Sequence, residues 1–166
     1  MERVIIFLAL IGLASSMSIK FNSCESSRGK STASNISLII EPCTAEPCKL
    51  IKGQSSSIAV HFTPANVAKT LAVSVHAKIA SFWVPYSIDK PDACKDSGLT
   101  CPLAAGTEAD YEYSLKVSTA YPSISLPLEW KITDDTGASP VCVVFPIVVT
   151  SSAASMYEEE TLALIP

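Results

Sequence analysis

The chain has 166 residues, 48% of them hydrophobic and 17% charged, with a formal net charge of −4. That length suits one domain with a substantial core. An acidic balance with no long basic run leaves nothing to track a phosphate backbone, which sets nucleic acid aside as a main partner.

Met1 to Ser18 reads as a secretory signal. Arg3 gives a basic start, Val4 to Ala14 an apolar run, and Ala14 to Ser18 small residues for cleavage. The run is short for a bilayer span, so a signal anchor is the weaker alternative. All six cysteines, Cys24, Cys43, Cys48, Cys94, Cys101 and Cys142, follow it. An even number in an exported chain points to disulfides. A zinc site is the competing reading, for which the Cys43–Cys48 and Cys94–Cys101 spacings are loose.

Along the chain, apolar residues recur at every second position. Ile36, Leu38 and Ile40 do so first, then Ile58, Val60 and Phe62. Leu71, Val73, Val75, Ala77 and Ile79 follow, with Ala72, Ser74, His76 and Lys78 between them. Tyr111, Tyr113, Leu115 and Val117 alternate with polar residues, as do Ile124, Leu126, Leu128, Trp130 and Ile132. Val141 to Val149 is apolar on both faces. A period of two means strands with one buried and one wet face. Turn signals separate them: Glu46-Pro47, Lys52-Gly53, Pro64 to Asn66, Tyr121-Pro122 and Asp134 to Gly137. No stretch of residues 19–150 has a helical period. The expected fold is all-β, two antiparallel sheets packed face to face in one domain over residues 19–150. Residues 151–166 read as a C-terminal tail, expected to be flexible. Pro127 removes a ladder donor, which predicts an edge strand or a local irregularity.

The stretch Ser81 to Cys101 is the odd one. It reads as a loop, yet it opens with Phe82, Trp83, Val84 and Tyr86. If the preceding strand runs on, Ser81 and Trp83 continue its inward face and Phe82 points out. Pairing is then expected to fail at Pro85. At least one of Phe82 and Trp83 is expected to be exposed.

The marks of an enzyme are missing. His61 and His76 fall on polar strand faces, where solvated histidines are expected. There is no Gly-x-Ser-x-Gly, no His-Glu-x-x-His and no phosphate-cradling glycine loop. No cofactor or metal is required by what is present. Asn35-Ile36-Ser37 is a glycosylation sequon on the face opposite Ile36 and Leu38.

Taken together, "IKFNSC", "EPCTAEPCKLIKGQ", "VPYSIDKPDACKDSGLTCP", "YPSISLPLEWKITDDTG" and "CVVFPIVV" run in an order and spacing that resembles the Niemann–Pick type C-two proteins. These are soluble sterol carriers within the wider ML family of lipid-recognition domains. The resemblance covers roughly Phe21 to Val149. It implies an immunoglobulin-like β-sandwich whose sheets splay around an apolar pocket. It implies the pairings Cys24–Cys142, Cys43–Cys48 and Cys94–Cys101, among the 15 connectivities that six cysteines allow. It places Tyr86 at the pocket mouth, where the family commonly has phenylalanine, with Val117 and Tyr121 across from it. Trp130, Leu115, Val143 and Phe145 are then the interior lining. From periodicity alone, those inward residues are ordinary core. Ile79, Phe82 and Trp83 become a membrane or partner surface at the mouth. The implied role is a non-enzymatic monomer, secreted or in the lysosomal lumen. It carries a sterol or similar apolar lipid and meets a membrane or a membrane transporter. An innate-immune module that binds microbial lipid is the alternative.

Overall fold

Alternation becomes strands along most of the chain. The computed structural model describes residues 17–151. Residues 1–16 of the expected signal and 152–166 of the expected tail lie outside them. The strands are β1 (Asn22–Ser23), β2 (Ser34–Glu41), β3 (Cys48–Ile51), β4 (Ser55–Thr63), β5 (Leu71–Ile79), β6 (Phe82–Tyr86), β7 (Ala109–Lys116), β8 (Ile124–Asp134) and β9 (Val141–Thr150), with one 3-10 turn at Ser26–Arg28. One sheet runs β1-β9-β8-β5-β6, and β3 adds to β9; the other runs β2-β4-β7. Pairing is antiparallel except where β3 lies parallel to β9. The inward faces meet in one core, in which Leu38, Ile40, Ile58, Val60, Trp130, Ile132 and Val143 are all fully buried.

Disulfides join Cys24 to Cys142, Cys43 to Cys48 and Cys94 to Cys101. The first spans 118 residues. Closing so long a loop removes about 5 kcal/mol of chain entropy from the unfolded state, and each short loop roughly 2–3 kcal/mol.

Two proline expectations need correction. β8 is not an edge strand, since β5 and β9 flank it. Pro127 is tolerated because the β5 ladder stops one residue short of it, at Ala77↔Leu128. Pro146 lies directly opposite on β9. It falls in the gap between β1, which pairs with Val143 and Val144, and β3, which begins at Ile147. Each proline sits where no outer neighbour asks for an N–H.

The second correction concerns Ser81 to Tyr86. β5 ends at Ile79, Ala80 and Ser81 make a two-residue turn, and β6 runs back along β5. Ala80 takes φ 54°, the positive φ that tight hairpin turns demand. Opposed residues share a face. Phe82, Val84 and Tyr86 therefore lie on the inward side with Ile79, Ala77 and Val75, and Trp83 lies outside with Lys78. That reverses the expected facing of Phe82 and Trp83. Pairing also runs past Pro85 to Val75↔Tyr86. β6 is the sheet edge, and in the alternation set by the turn the absent donor of Pro85 would have faced away from β5.

His76 differs from expectation as well. Its Nδ1 is buried 3.2 Å from the Glu129 carboxylate, without hydrogen-bond geometry. His61 is exposed and contacts Asp110.

Candidate functional site: an apolar cavity between the sheets

At one end of the sandwich the sheets part around a cavity of about 400 Å³. Each wall strand changes role along its length, the boundary stepping by one inward residue from β9 to β8 and again from β8 to β5. On β8, Ile124, Leu126 and Leu128 line the space, and Trp130 and Ile132 lie beyond it in closed core. On β9 the lining residues are Ile147 and Val149, and Val141, Val143 and Phe145 are closed core. On β5 they are Val75, Ala77 and Ile79, with Leu71 and Val73 in the core. Leu115 and Val117 face them from β7 and its continuation.

Of the seven expected lining residues, Tyr86, Leu115, Val117 and Tyr121 border the cavity. Trp130, Val143 and Phe145 do not, and their places are a correction. Trp130 packs against Tyr113 and Tyr111, with ring centroids at 5.5 and 6.1 Å, and this stack forms a closed floor. Alternation put Leu115, Val117 and Trp130 on the correct face, and the resemblance supplied the other four; neither carries information about the level along the strand. Leu50, Val84, Leu126, Leu128, Ile147 and Val149 were missed as lining. For Leu126 and Leu128 the signal was the same alternation, read nearer the turn.

The mouth is where the polar atoms are. Among the described residues that line the cavity, only Tyr86, Ser87 and Tyr121 carry any in their side chains. The Tyr86 and Tyr121 rings meet edge to face at 6.0 Å. The Tyr86 hydroxyl donates to the Lys116 carbonyl at 3.2 Å, linking the edge of one sheet to the end of a strand in the other. Burial, then the bond to Tyr121, raises the Tyr86 phenol far above its ordinary pKa. It therefore stays a neutral donor. Behind the mouth the Tyr113 hydroxyl donates to Asp89 at 2.6 Å, which ties the segment after β6 to β7. Burial, then that bond, pushes Tyr113 up to about 12, and the same bond holds the Asp89 carboxyl below its usual range. Among the described residues, the cavity wall contains no carboxylate, imidazole or thiol that could transfer a proton or hold a metal. Its chemistry is to shield an apolar body and meet one polar end.

Around the mouth Phe82 is 75% exposed, and Ile79, Val84 and Tyr121 are also open to solvent. Trp83 is half-buried on the opposite face, with the Arg28 guanidinium 4.9 Å and the Lys78 ammonium 5.3 Å from its ring centroid. Asn35 is exposed on β2, its side chain near Thr63. Among the described residues, the one cluster with metal-ligating atoms is Cys24, Cys142 and Glu129. Its two sulfurs are joined to each other and its carboxylate is taken by Arg28. No helix among the described residues is long and apolar enough to cross a membrane.

A two-sheet sandwich that leaves one end of its interior open to an apolar guest is the architecture of a lipid-recognition domain. The chain belongs to the ML domain family, whose model matches residues 18–149. It is 35% identical to the mouse NPC intracellular cholesterol transporter 2 over 151 residues, covering 91% of this chain and 98% of that one. It is 34% identical to homolog a of that transporter in Drosophila melanogaster, covering 86% and 94%. The crystal structure of a Niemann-Pick type C2 protein from the Japanese carpenter ant superposes with a TM-score of 0.65 at 26% identity, over 82% of this chain and 96% of the other. Chicken MD-1 complexed with lipid IVa superposes at 0.53 with 18% identity, over 76% and 85%, a likeness of fold alone.

Proposed function

We propose that this protein binds one molecule of a sterol, or of an apolar lipid of similar bulk, in the cavity and carries it through water between membranes. The observation that carries this reading is a cavity of about 400 Å³ walled by aliphatic side chains, with hydroxyls only at its mouth. The volume falls in the range of small-molecule sites, roughly 300–1,000 Å³. A guest that hides a few hundred Å² gains several kcal/mol at about 25 cal/mol per Å², less the cost of ordering. The names of the mouse and fly relatives, cholesterol transporters, agree with it. Tyr86, Leu115, Val117 and Tyr121 are its ligand contacts, and the polar end of the guest rests at the two tyrosines.

Transfer proceeds by docking the mouth on a bilayer or on a membrane transporter. Phe82 and Ile79 are the apolar rim that enters the interface. The protein acts as a secreted or lysosomal monomer with a glycan at Asn35, away from the mouth, and without cofactor. Three disulfides support the oxidising address. The test is displacement of an environment-sensitive apolar dye by a fluorescent sterol and by a fatty acid. Saturation at one site per chain is expected. If neither ligand displaces the dye at micromolar protein, the carrier reading is wrong.

A further inference from the structure

The outer face of the large sheet holds an arrangement that the cavity does not use. Glu129 points away from the core yet is 1% exposed, because the Ser26–Arg28 turn covers it. Arg28 grips its carboxylate with two bonds, Nε at 2.5 Å and Nη2 at 2.8 Å. Lys131 Nζ donates to the Arg28 carbonyl at 2.7 Å, and Cys24 just before the turn is bonded to Cys142. Arg28 is thus fixed from three sides. Its guanidinium lies against the Trp83 ring. Lys78, directly opposite Trp83 on β5, reaches the same ring, with its Nζ 3.4 Å from Glu25. Two cations, each near a carboxylate, share one indole.

We propose that Trp83 is a positioning residue for the cavity mouth, and that it does not itself dip into a membrane. Among the described residues β6 is an edge strand whose one ladder partner is β5. Its tilt is therefore set by that ladder and by what its side chains touch. Side chains alternate across a strand, so fixing Trp83 on the outer face sets how far Val84 and Tyr86 project inward. Tyr86 closes the mouth only if β6 is held at the distance from which its hydroxyl meets the Lys116 carbonyl. Two partly buried indole–cation contacts acting together are strong enough to bias such a strand between closed and lifted positions. The mouth is set from the far side of its own sheet.

Trp83→Leu removes the ring face and keeps apolar bulk; Trp83→Phe keeps a weaker ring face. Lys78→Met removes one cation and keeps the stem. Arg28 is left in place, because its loss strands Glu129 as an unpaired buried carboxylate. The first readout is amide exchange at Val84 and Tyr86 in the full chain without ligand, with Ile132 and Val143 as internal references. Trp83→Leu should speed exchange at Val84 and Tyr86 about fivefold, equivalent to ~1 kcal/mol, and leave the references unchanged. Trp83→Phe should restore part of the protection, and Lys78→Met should lose part of it. The second readout is sterol entry and exit with cyclodextrin as donor and acceptor. Both rates should rise in Trp83→Leu while Kd stays nearly constant, as for a loosened gate. Unchanged exchange at Val84 and Tyr86 overturns the proposal, as does a uniform rise that includes the references. Normal exit to cyclodextrin with slowed transfer to vesicles also overturns it, and returns Trp83 to membrane contact. The inference rests on the lipid-binding reading, but a wild-type chain that takes up no sterol sinks only that reading, since exchange alone still decides the role of Trp83.

Discussion

The interior of this sandwich has two halves made from the same strands, and one is full while the other is open. In the full half, Trp130 on β8 meets Tyr111 and Tyr113 on β7, with Phe62 and Phe145 also buried. In the open half the same two strands carry Leu126, Leu128 and Leu115, and β5 carries Ala77. Sheets pack about 10 Å apart face to face. Rings span that gap, and shorter aliphatic chains leave part of it open. Alternation decides which face a residue takes; side-chain reach at each level decides whether the interior closes there.

That contrast can be broken from either side. The largest effect is expected outside the core. Cys24→Ser opens the bridge to Cys142 at the level of the full half, and should cost about 5 kcal/mol in denaturant unfolding. Cys48→Ser, near the open half, should cost about 2 kcal/mol. Equal costs would mean that loop length does not govern the bridges. Next come truncations on one strand. Trp130→Ala should lose ~3–5 kcal/mol, and Leu126→Ala about 2 kcal/mol or less, because one side of Leu126 already lacks neighbours. If Leu126→Ala is as costly as Trp130→Ala, the open half is packed core.

Filling the space is the converse. Val117→Phe should abolish sterol binding and change stability by under about 1 kcal/mol, since the added ring enters open space. A variant that unfolds would put Val117 in a closed core. The finest test is Tyr86→Phe, which keeps the ring and deletes the hydroxyl with its bonds to the Lys116 carbonyl and to Tyr121. It should cost about 1 kcal/mol and speed sterol exit roughly fivefold. An unchanged exit rate would leave the ring, not the hydroxyl, as the barrier.

Much of this was legible in the sequence, for reasons that also mark where legibility stops. The strands followed from period-two alternation; β5 was read to its observed ends, Leu71 and Ile79. The cysteine pairs were legible only through family resemblance, because spacing alone leaves all connectivities open. β6 was hidden by its turn. Tight hairpins are announced by glycine or asparagine, and here Ala80 takes the positive φ. Once that turn was missed, Phe82 and Trp83 were assigned to opposite faces from those they occupy. Trp130, Val143 and Phe145 were misplaced for a different reason: facing is periodic, but depth between two sheets depends on the partner sheet. The Arg28–Glu129 pair joins residues 101 apart in sequence, and nothing local links an arginine in a serine-rich turn to a glutamate before a tryptophan. A buried carboxylate on an outward position is visible only when its cover is.

Pro85 has a consequence for how the molecule behaves in a crowd. β6 is a sheet edge bearing exposed apolar side chains, the arrangement on which a second chain could add a strand and start a fibre. Proline interrupts the outward row of donors at its middle, so an incoming strand finds no continuous ladder to complete. The protein can thus keep apolar side chains exposed at this tip without offering the tip as a seed for its own aggregation.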